Sequence, residues 1–239
     1  MTVDPEALNA SLQRLARERN EQLATAGVVP ALNAVTSACV DLFGVTGSGI
    51  MLADEQNITR YVAASDGPGR ILETVEGETG QGVCTEAFVH NRVTTSDDIA
   101  ADERWPELAR IVAPHGVHAV LGIPVLLGAV TVGTLDVYLD RPHEWTDNEC
   151  AAAVRYGDVV QATLATALAA HTAGQLADQL QYALDHRVVI ERGVGYLMAR
   201  DGTDPVTAFN RLRRAARNAR SKIGDVATTL LETGRLPNE

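Results

Sequence analysis

The chain has 239 residues, 46% hydrophobic and 21% charged, with a formal net charge of -11, enough for one large domain or two small ones with packed cores. No run approaches the roughly 18 uninterrupted apolar residues of a membrane span, and the polar start MTVDPEALNASLQRLARERNEQ is unlike a signal sequence. A membrane-spanning role is excluded on this reading, and a cytoplasmic location is expected. The three cysteines, Cys39, Cys84 and Cys150, are far apart and form no CxxC, so they read as small thiols rather than a disulfide framework or a zinc cluster.

The predicted elements begin with a helix over residues 1–24, where Leu8, Leu12, Leu15 and Leu23 recur at near-helical spacing. A second apolar helix is expected from Pro30 to Phe43. VTGSGIMLADEQNITRYVAASDG then offers two β-leaning runs around the polar residues 54–57, the pattern of a hairpin. HAVLGIPVLLGAVTVGTLDVYLD gives a second hairpin around Gly128. Between them, residues 73–115 carry Gly77, Gly80, Gly82, Pro106 and Pro114, and loops with one short helix, CTEAFVHN, are expected. Helices, an antiparallel sheet and an irregular crossing segment make an α+β domain.

From Trp145 onward the texture is helical. Thr146 and Glu149 have the S/T-x-x-E spacing of a capping box, so a helix should start there. Val154, Gln161, Leu164, Ala165 and Leu168, and after Gly174 Leu176, Leu180, Ala183 and Leu184, recur every three or four residues. Over 147–170 this stripe fits either a coiled coil or a helix packed on its own sheet. Over 175–190 pairing with a second copy is the expectation, giving a homodimer.

Charge divides the chain. From residue 173 onward ten Lys/Arg face eight Asp/Glu, a balance of +2, leaving -13 for the rest. The stretch AFNRLRRAARNARSK, residues 208–222, holds six basic side chains and no acid. Asp204-Pro205 is a good cap and first-turn pair. On a wheel with Arg211 at zero, the alanines, Leu212 and Phe209 fall between roughly 40° and 160°, and Arg213, Arg214, Arg217 and Arg220 between roughly 180° and 300°. Like charges on one face repel by a few tenths of a kcal/mol per pair. A phosphate partner relieves that repulsion, because guanidinium groups bind it with a bidentate fork. Screening beyond about 8 Å lets such a patch work within an acidic protein. With only Asn210, Asn218 and Ser221 available for base edges, the face suits backbone and shape reading, as in RNA hairpins, more than a DNA-reading helix-turn-helix.

Four blocks in order, ETVEGETGQGVCTEAF, DDIAADERWPELA, HAVLGIPVLL and VGTLDVYLDRPHEWTDNE, resemble the GAF domain of actinobacterial GAF-ANTAR regulators. The resemblance covers roughly residues 25–172. It implies a six-stranded antiparallel sheet with flanking helices and, in many GAF domains, a small molecule on one sheet face, whereas others only dimerise. Val83 stands where relatives often carry proline. Cys84, Val93, Asp97, Trp105 and Leu108 come from the segment that covers the ligand in such domains, and Trp105 and Leu108 equally suit a core plug. His115 and His118 have the spacing of a helical metal pair but precede a strand, so no metal is expected.

LQYALDHRVVIERGVGYLMARDGTDPVTAFNRLRRAARNARSKIGDVATTLL resembles the ANTAR domain, a three-helix RNA-binding unit of transcription antiterminators, here placed at 173–234. Gly193 and Val194 depart from the common Ala and Lys, and Arg220 from the common Asn. The resemblance implies paired RNA stem-loops as partner; with the basic face read above, the candidate RNA-binding residues are Arg187, Arg211, Arg213, Arg214, Arg217, Arg220 and Lys222. No GxSxG, HExxH or Walker loop occurs, so neither catalysis nor a cofactor is expected. The alternative is a redox enzyme similar to methionine sulfoxide reductases, working through Cys84 with Cys39 or Cys150, the ANTAR part serving only dimerisation.

Overall fold

The computed structural model describes residues 3–53, 59–65, 67–169 and 175–237. The chain opens with α1 (Pro5–Thr25), capped by the Asp4 carboxylate, and α2 (Val28–Phe43). Strands β1 (Gly47–Ala53) and β2 (Thr59–Ala64) pair antiparallel, and the residues 54–57 read as their turn lie outside the described residues. There follow α3 (Gly67–Thr79), α4 (Val83–His90), β3 (Thr94–Ser96), α5 (Pro106–Val112) and a single 3-10 turn. The hairpin β4 (Ala119–Leu127) and β5 (Val130–Leu139) turns at Gly128, whose φ is +64°. Four helices complete the chain: α6 (Asp147–Ala169), α7 (Gln175–Asp201), α8 (Pro205–Ala219) and α9 (Ile223–Thr233).

Two expectations are corrected here. Among the described residues the sheet has five strands, in the order β2-β1-β5-β4-β3, not six. The segment 73–115 is more regular than its glycines suggested: α3 runs through Gly77, whose small size lets the helix bury that position, and α5 starts at Pro106, a residue suited to a first turn. Among the described residues no helix is long and apolar enough to cross a membrane.

One sheet face and the helices α1, α2 and α6 enclose the larger core, built on Leu32, Phe43, Leu121, Leu135, Tyr156 and Val160. The capping box at the start of α6 is formed, with the Glu149 carboxylate accepting from Thr146 N–H at 2.9 Å and Thr146 Oγ1 accepting from Glu149 N–H at 3.3 Å. The buried stripe of α6 runs through Ala152, Ala153, Tyr156, Val160, Leu164 and Ala167, whereas Val154 and Ala165 are exposed. Over this helix the packing on its own sheet holds. Leu180, with Ala183 and Leu184 beside it, extends the same core into α7. Gly174 lies outside the described residues, as does the side chain of Leu176.

The opposite sheet face, under α3, α4 and α5, is packed with Leu72, Val83, Ile99, Trp105, Leu108 and Tyr138. Within it sits a polar inclusion. Asp136 of β5 is paired with Gly49 on β1 and Gly122 on β4, so its carboxyl lies between two strands that present no side chain. A Cβ at Gly49 would collide with the Glu73 carboxyl, and one at Gly82 with that of Glu76. Glu76 is fully buried and accepts the Thr85 N–H at 3.0 Å, supplying the cap that Gly82 cannot give to α4. Asp136 accepts the Thr134 hydroxyl at 2.7 Å.

Burial pushes the Glu76 carboxyl up to about 8, against the Thr85 hydrogen bond, and that of Asp136 up to about 7. Both carboxyls raise the Cys84 thiol further above its ordinary range, on top of burial. Unfolded, the two acids lose their protons at ordinary values of 4.5 and 3.8. Within that window the native state therefore holds more protons than the unfolded chain, and stability falls as pH rises. We expect Tm to decline between about pH 5 and about pH 8.5, and the decline to flatten in Glu76→Gln and Asp136→Asn. Equal slopes in wild type and both variants by thermal denaturation would show the acids ionised in the fold.

Candidate functional site

The C-terminal helices pack around Leu197, Phe209, Leu212, Ala216, Ile223, Val226 and Leu230. α8 forms where expected: Asp204 caps it, accepting Thr207 N–H at 2.9 Å, and Pro205 occupies its first turn. At the end of α7, Asp201 pairs with Arg200 at 2.8 Å and with Arg211 of α8 at 2.6 Å, while Arg200 also donates to Gly234 O at 3.0 Å. This knot fixes α7, α8 and the end of α9 together. Tyr182 anchors the arrangement, accepting Gly224 N–H at 2.9 Å, stacking on His186 and lying under the Lys222 ammonium at 4.8 Å.

The basic side chains do not share one environment. Arg214, Arg217, Arg220 and Lys222 are exposed, and Arg214, Arg217 and Arg220 form no ion pair among the described residues. Arg220 ends α8 with φ +50°, in the left-handed region. Arg211 is held by Asp201, and Arg187 pairs with Glu191 one turn along α7 at 2.8 Å. Arg213 corrects the wheel reading: it is 4% exposed, turned inward beside the α3–α4 loop. The wheel treated α8 as a helix with one core face, but it has a second neighbour.

That neighbour is the sheet-bearing unit. Asn210 Nδ2 donates to Gly80 O at 2.6 Å, and Arg217 reaches Glu78 O at 3.5 Å. Gly80 has φ +69°, and a Cβ there would collide with Asn210 and Arg213, so only glycine meets both the turn and the close approach. Deeper in the contact, Phe88 of α4 packs on Phe209 with ring centroids 5.8 Å apart, and Phe88 and Ala53 belong to the C-terminal core. Asn210 and Gly80 were not singled out as a pair by the sequence, because nothing local joins residues 130 positions apart.

The five ligand-face candidates are dispersed. Trp105 and Leu108 are buried together in the second core, with the Arg104 guanidinium 4.0 Å over the Trp105 ring. Cys84 lies with Glu76 and Asp136. Val93 packs toward the core on the other sheet face, and Asp97 is exposed, receiving His143 N–H at its carbonyl at 2.9 Å. The structure thus buries three of the five, Cys84, Trp105 and Leu108, on one sheet face. Glu76 and Asp136 were missed, although an acid inside the apolar run VGTLDVYL was a visible signal.

His118 pairs with Asp98 at 2.9 Å rather than with His115, and among the described residues no group of His, Cys, Asp or Glu is arranged to hold a metal. All three cysteines are free thiols. Cys39 sits in the α2 layer against one sheet face, and Cys84 in α4 against the other.

Comparison with known proteins agrees with this geometry. The GAF domain family model matches residues 28–164, and the ANTAR domain model matches residues 178–231. No curated protein matches the chain. The GAF domain of a phosphoenolpyruvate-protein phosphotransferase from Coxiella burnetii is similar at 18% identity, covering 70% of this chain and 97% of that one, with a TM-score of 0.54. The equivalent Acinetobacter domain gives 18%, 69% and 96%, with 0.53. Free methionine-R-sulfoxide reductase from Neisseria meningitidis, in complex with its substrate, gives 15%, 66% and 86%, with 0.51. At these identities the likeness concerns the fold alone. The chain belongs to the GAF domain family, its five-stranded antiparallel sheet and flanking helices being followed by a C-terminal helical ANTAR region.

Proposed function

We propose that the chain is a cytoplasmic, homodimeric regulator of transcription antitermination, whose GAF domain (25–172) senses a small molecule and whose ANTAR domain (173–234) binds paired RNA stem-loops. The observation that carries this reading is the set of exposed arginines on α8, Arg214, Arg217 and Arg220, without ionic partners among the described residues, in a chain of net charge -11. Arg211 and Lys222 lie at either end of this basic stretch, Arg187 adds a positive charge from α7, and Arg213 joins them once α8 leaves the GAF domain. Arginine without acid partners is a poor stability device and a good phosphate ligand.

The α3–α4 loop covers one edge of this face, at Asn210, Arg213 and Arg217. Sensing acts by changing that cover, and so the share of the basic set open to RNA. Dimerisation through the linking helix places two such faces against two RNA loops. The buried, proton-holding environment of Cys84 speaks for regulation over thiol redox chemistry, since the thiolate is the reactive form.

Fluorescence anisotropy with a two-hairpin RNA and a scrambled control tests the binding. Wild type should prefer the hairpins, with a steep salt dependence that Arg214→Ala/Arg217→Ala flattens by about one to two units in log–log slope. Equal, flat binding by both proteins would leave α8 as a solvated face. Asn210→Ala, which removes the hydrogen bond to the loop, should raise hairpin affinity by about two- to tenfold, and a drop would place Asn210 in the RNA contact instead. Under mild oxidant, non-reducing mass spectrometry should find Cys84 without a disulfide; rapid pairing with Cys39 or Cys150 favours the redox enzyme.

A further inference from the structure

Between the GAF and ANTAR helices lies a cleft of about 280 Å3, close to the lower end of the roughly 300–1,000 Å3 usual for small-molecule sites, which occur preferentially at domain interfaces. Its walls come from both units: Phe88 from α4, Phe209 from α8, and Val194 and Met198 from α7, with Arg187 at one side. The tilted Phe88–Phe209 pair forms an aromatic surface, suited to the face or edge of a flat ring.

Two features single out this cleft from an ordinary packing gap. Gly195 lines it from the interior of α7, and a Cβ there would meet nothing within 4 Å. A helix-interior glycine is less favourable than alanine by about 1 kcal/mol, and here no neighbouring atom requires it, in contrast to Gly193, which packs on Ala227 and Leu212. Arg187 supplies the second. Its Nε donates to Glu191, while its two terminal nitrogens form no hydrogen bond with any described residue. A planar guanidinium edge beside aromatic walls matches a molecule with a flat apolar body and a carboxylate.

We propose that this interdomain cleft is the effector site, and that it takes a planar aromatic carboxylate whose ring lies against Phe88 and Phe209 and whose carboxylate meets Arg187. The inference rests on the sensing role proposed above and moves the ligand from the sheet face, which Trp105, Leu108 and Tyr138 already fill, to the seam. A ligand touching both units binds the docked arrangement more tightly than the separated one, and so shifts the population toward it. In that arrangement Arg213 is buried and the α8 face is partly covered; the ligand acts as a brake on RNA binding.

Isothermal titration of the full chain with 1-naphthoate, and with the neutral 1-naphthalenemethanol, tests the site. Saturable naphthoate binding is expected, weakened about tenfold in Arg187→Gln and abolished in Gly195→Leu, which fills the cleft with a good helix former. The alcohol should be indifferent to Arg187→Gln. Circular dichroism checks that both variants keep their helices. Absence of saturable naphthoate binding, or binding unchanged in both folded variants, overturns the proposal. Hairpin anisotropy on the same samples separates the two readings: loss of the cleft with RNA binding intact sinks the effector site alone, and an intact cleft without RNA binding sinks the regulator.

Discussion

The structure depends on α7 belonging to two cores at once. Its first turns, through Leu180, Ala183 and Leu184, complete the large GAF core, and its later turns, through Ile190 and Leu197, begin the ANTAR core. A helix that contributes side chains to both cores fixes the placement of one unit against the other. The position of α8 over the α3–α4 loop follows from that placement, as does the cleft beside Gly195. Were α7 a solvated linker, neither the Asn210–Gly80 bond nor the Phe88–Phe209 pair would have a reason to form.

The loop contact then shows how two weak devices add. One hydrogen bond and one long arginine contact are modest by themselves. They are placed on a turn whose conformation is set by Gly80 and which ends directly above Glu76, the carboxyl that caps α4. Loop, cap and α8 face are therefore one mechanical series, from the polar inclusion in the sheet to the basic helix.

Much of the architecture was legible in local patterns. The caps at Thr146 and Asp204, the two hairpins and the division of charge all act over a few residues, and the fold follows them. What the sequence concealed depends on distant pairs. Arg213 reads as exposed on any wheel that counts only the neighbours of α8 within its own unit; a second unit packed on that helix reverses the reading. The α6 stripe was offset because Val154 and Ala165 share apolarity with the residues one position away that are buried. The row Gly49–Asp136–Gly122 is invisible until strand register brings three separate segments side by side. The five ligand-face candidates depend on distant pairing in the same way: drawn from one segment of the sequence, they lie in the fold against different cores, Val93 with one and Trp105 and Leu108 with the other.

Arg220 carries a consequence of its own. A left-handed conformation disfavours a side chain with a Cβ by about 1 kcal/mol relative to glycine, and asparagine tolerates it better than arginine. A chain shaped for thermal endurance alone would end α8 on Gly or Asn, and would lose one positive charge at the rim of its basic face. The arginine there leaves an untaken stabilising substitution in plain sight, and on the proposed RNA-binding reading it marks a position where endurance and affinity pull in opposite directions.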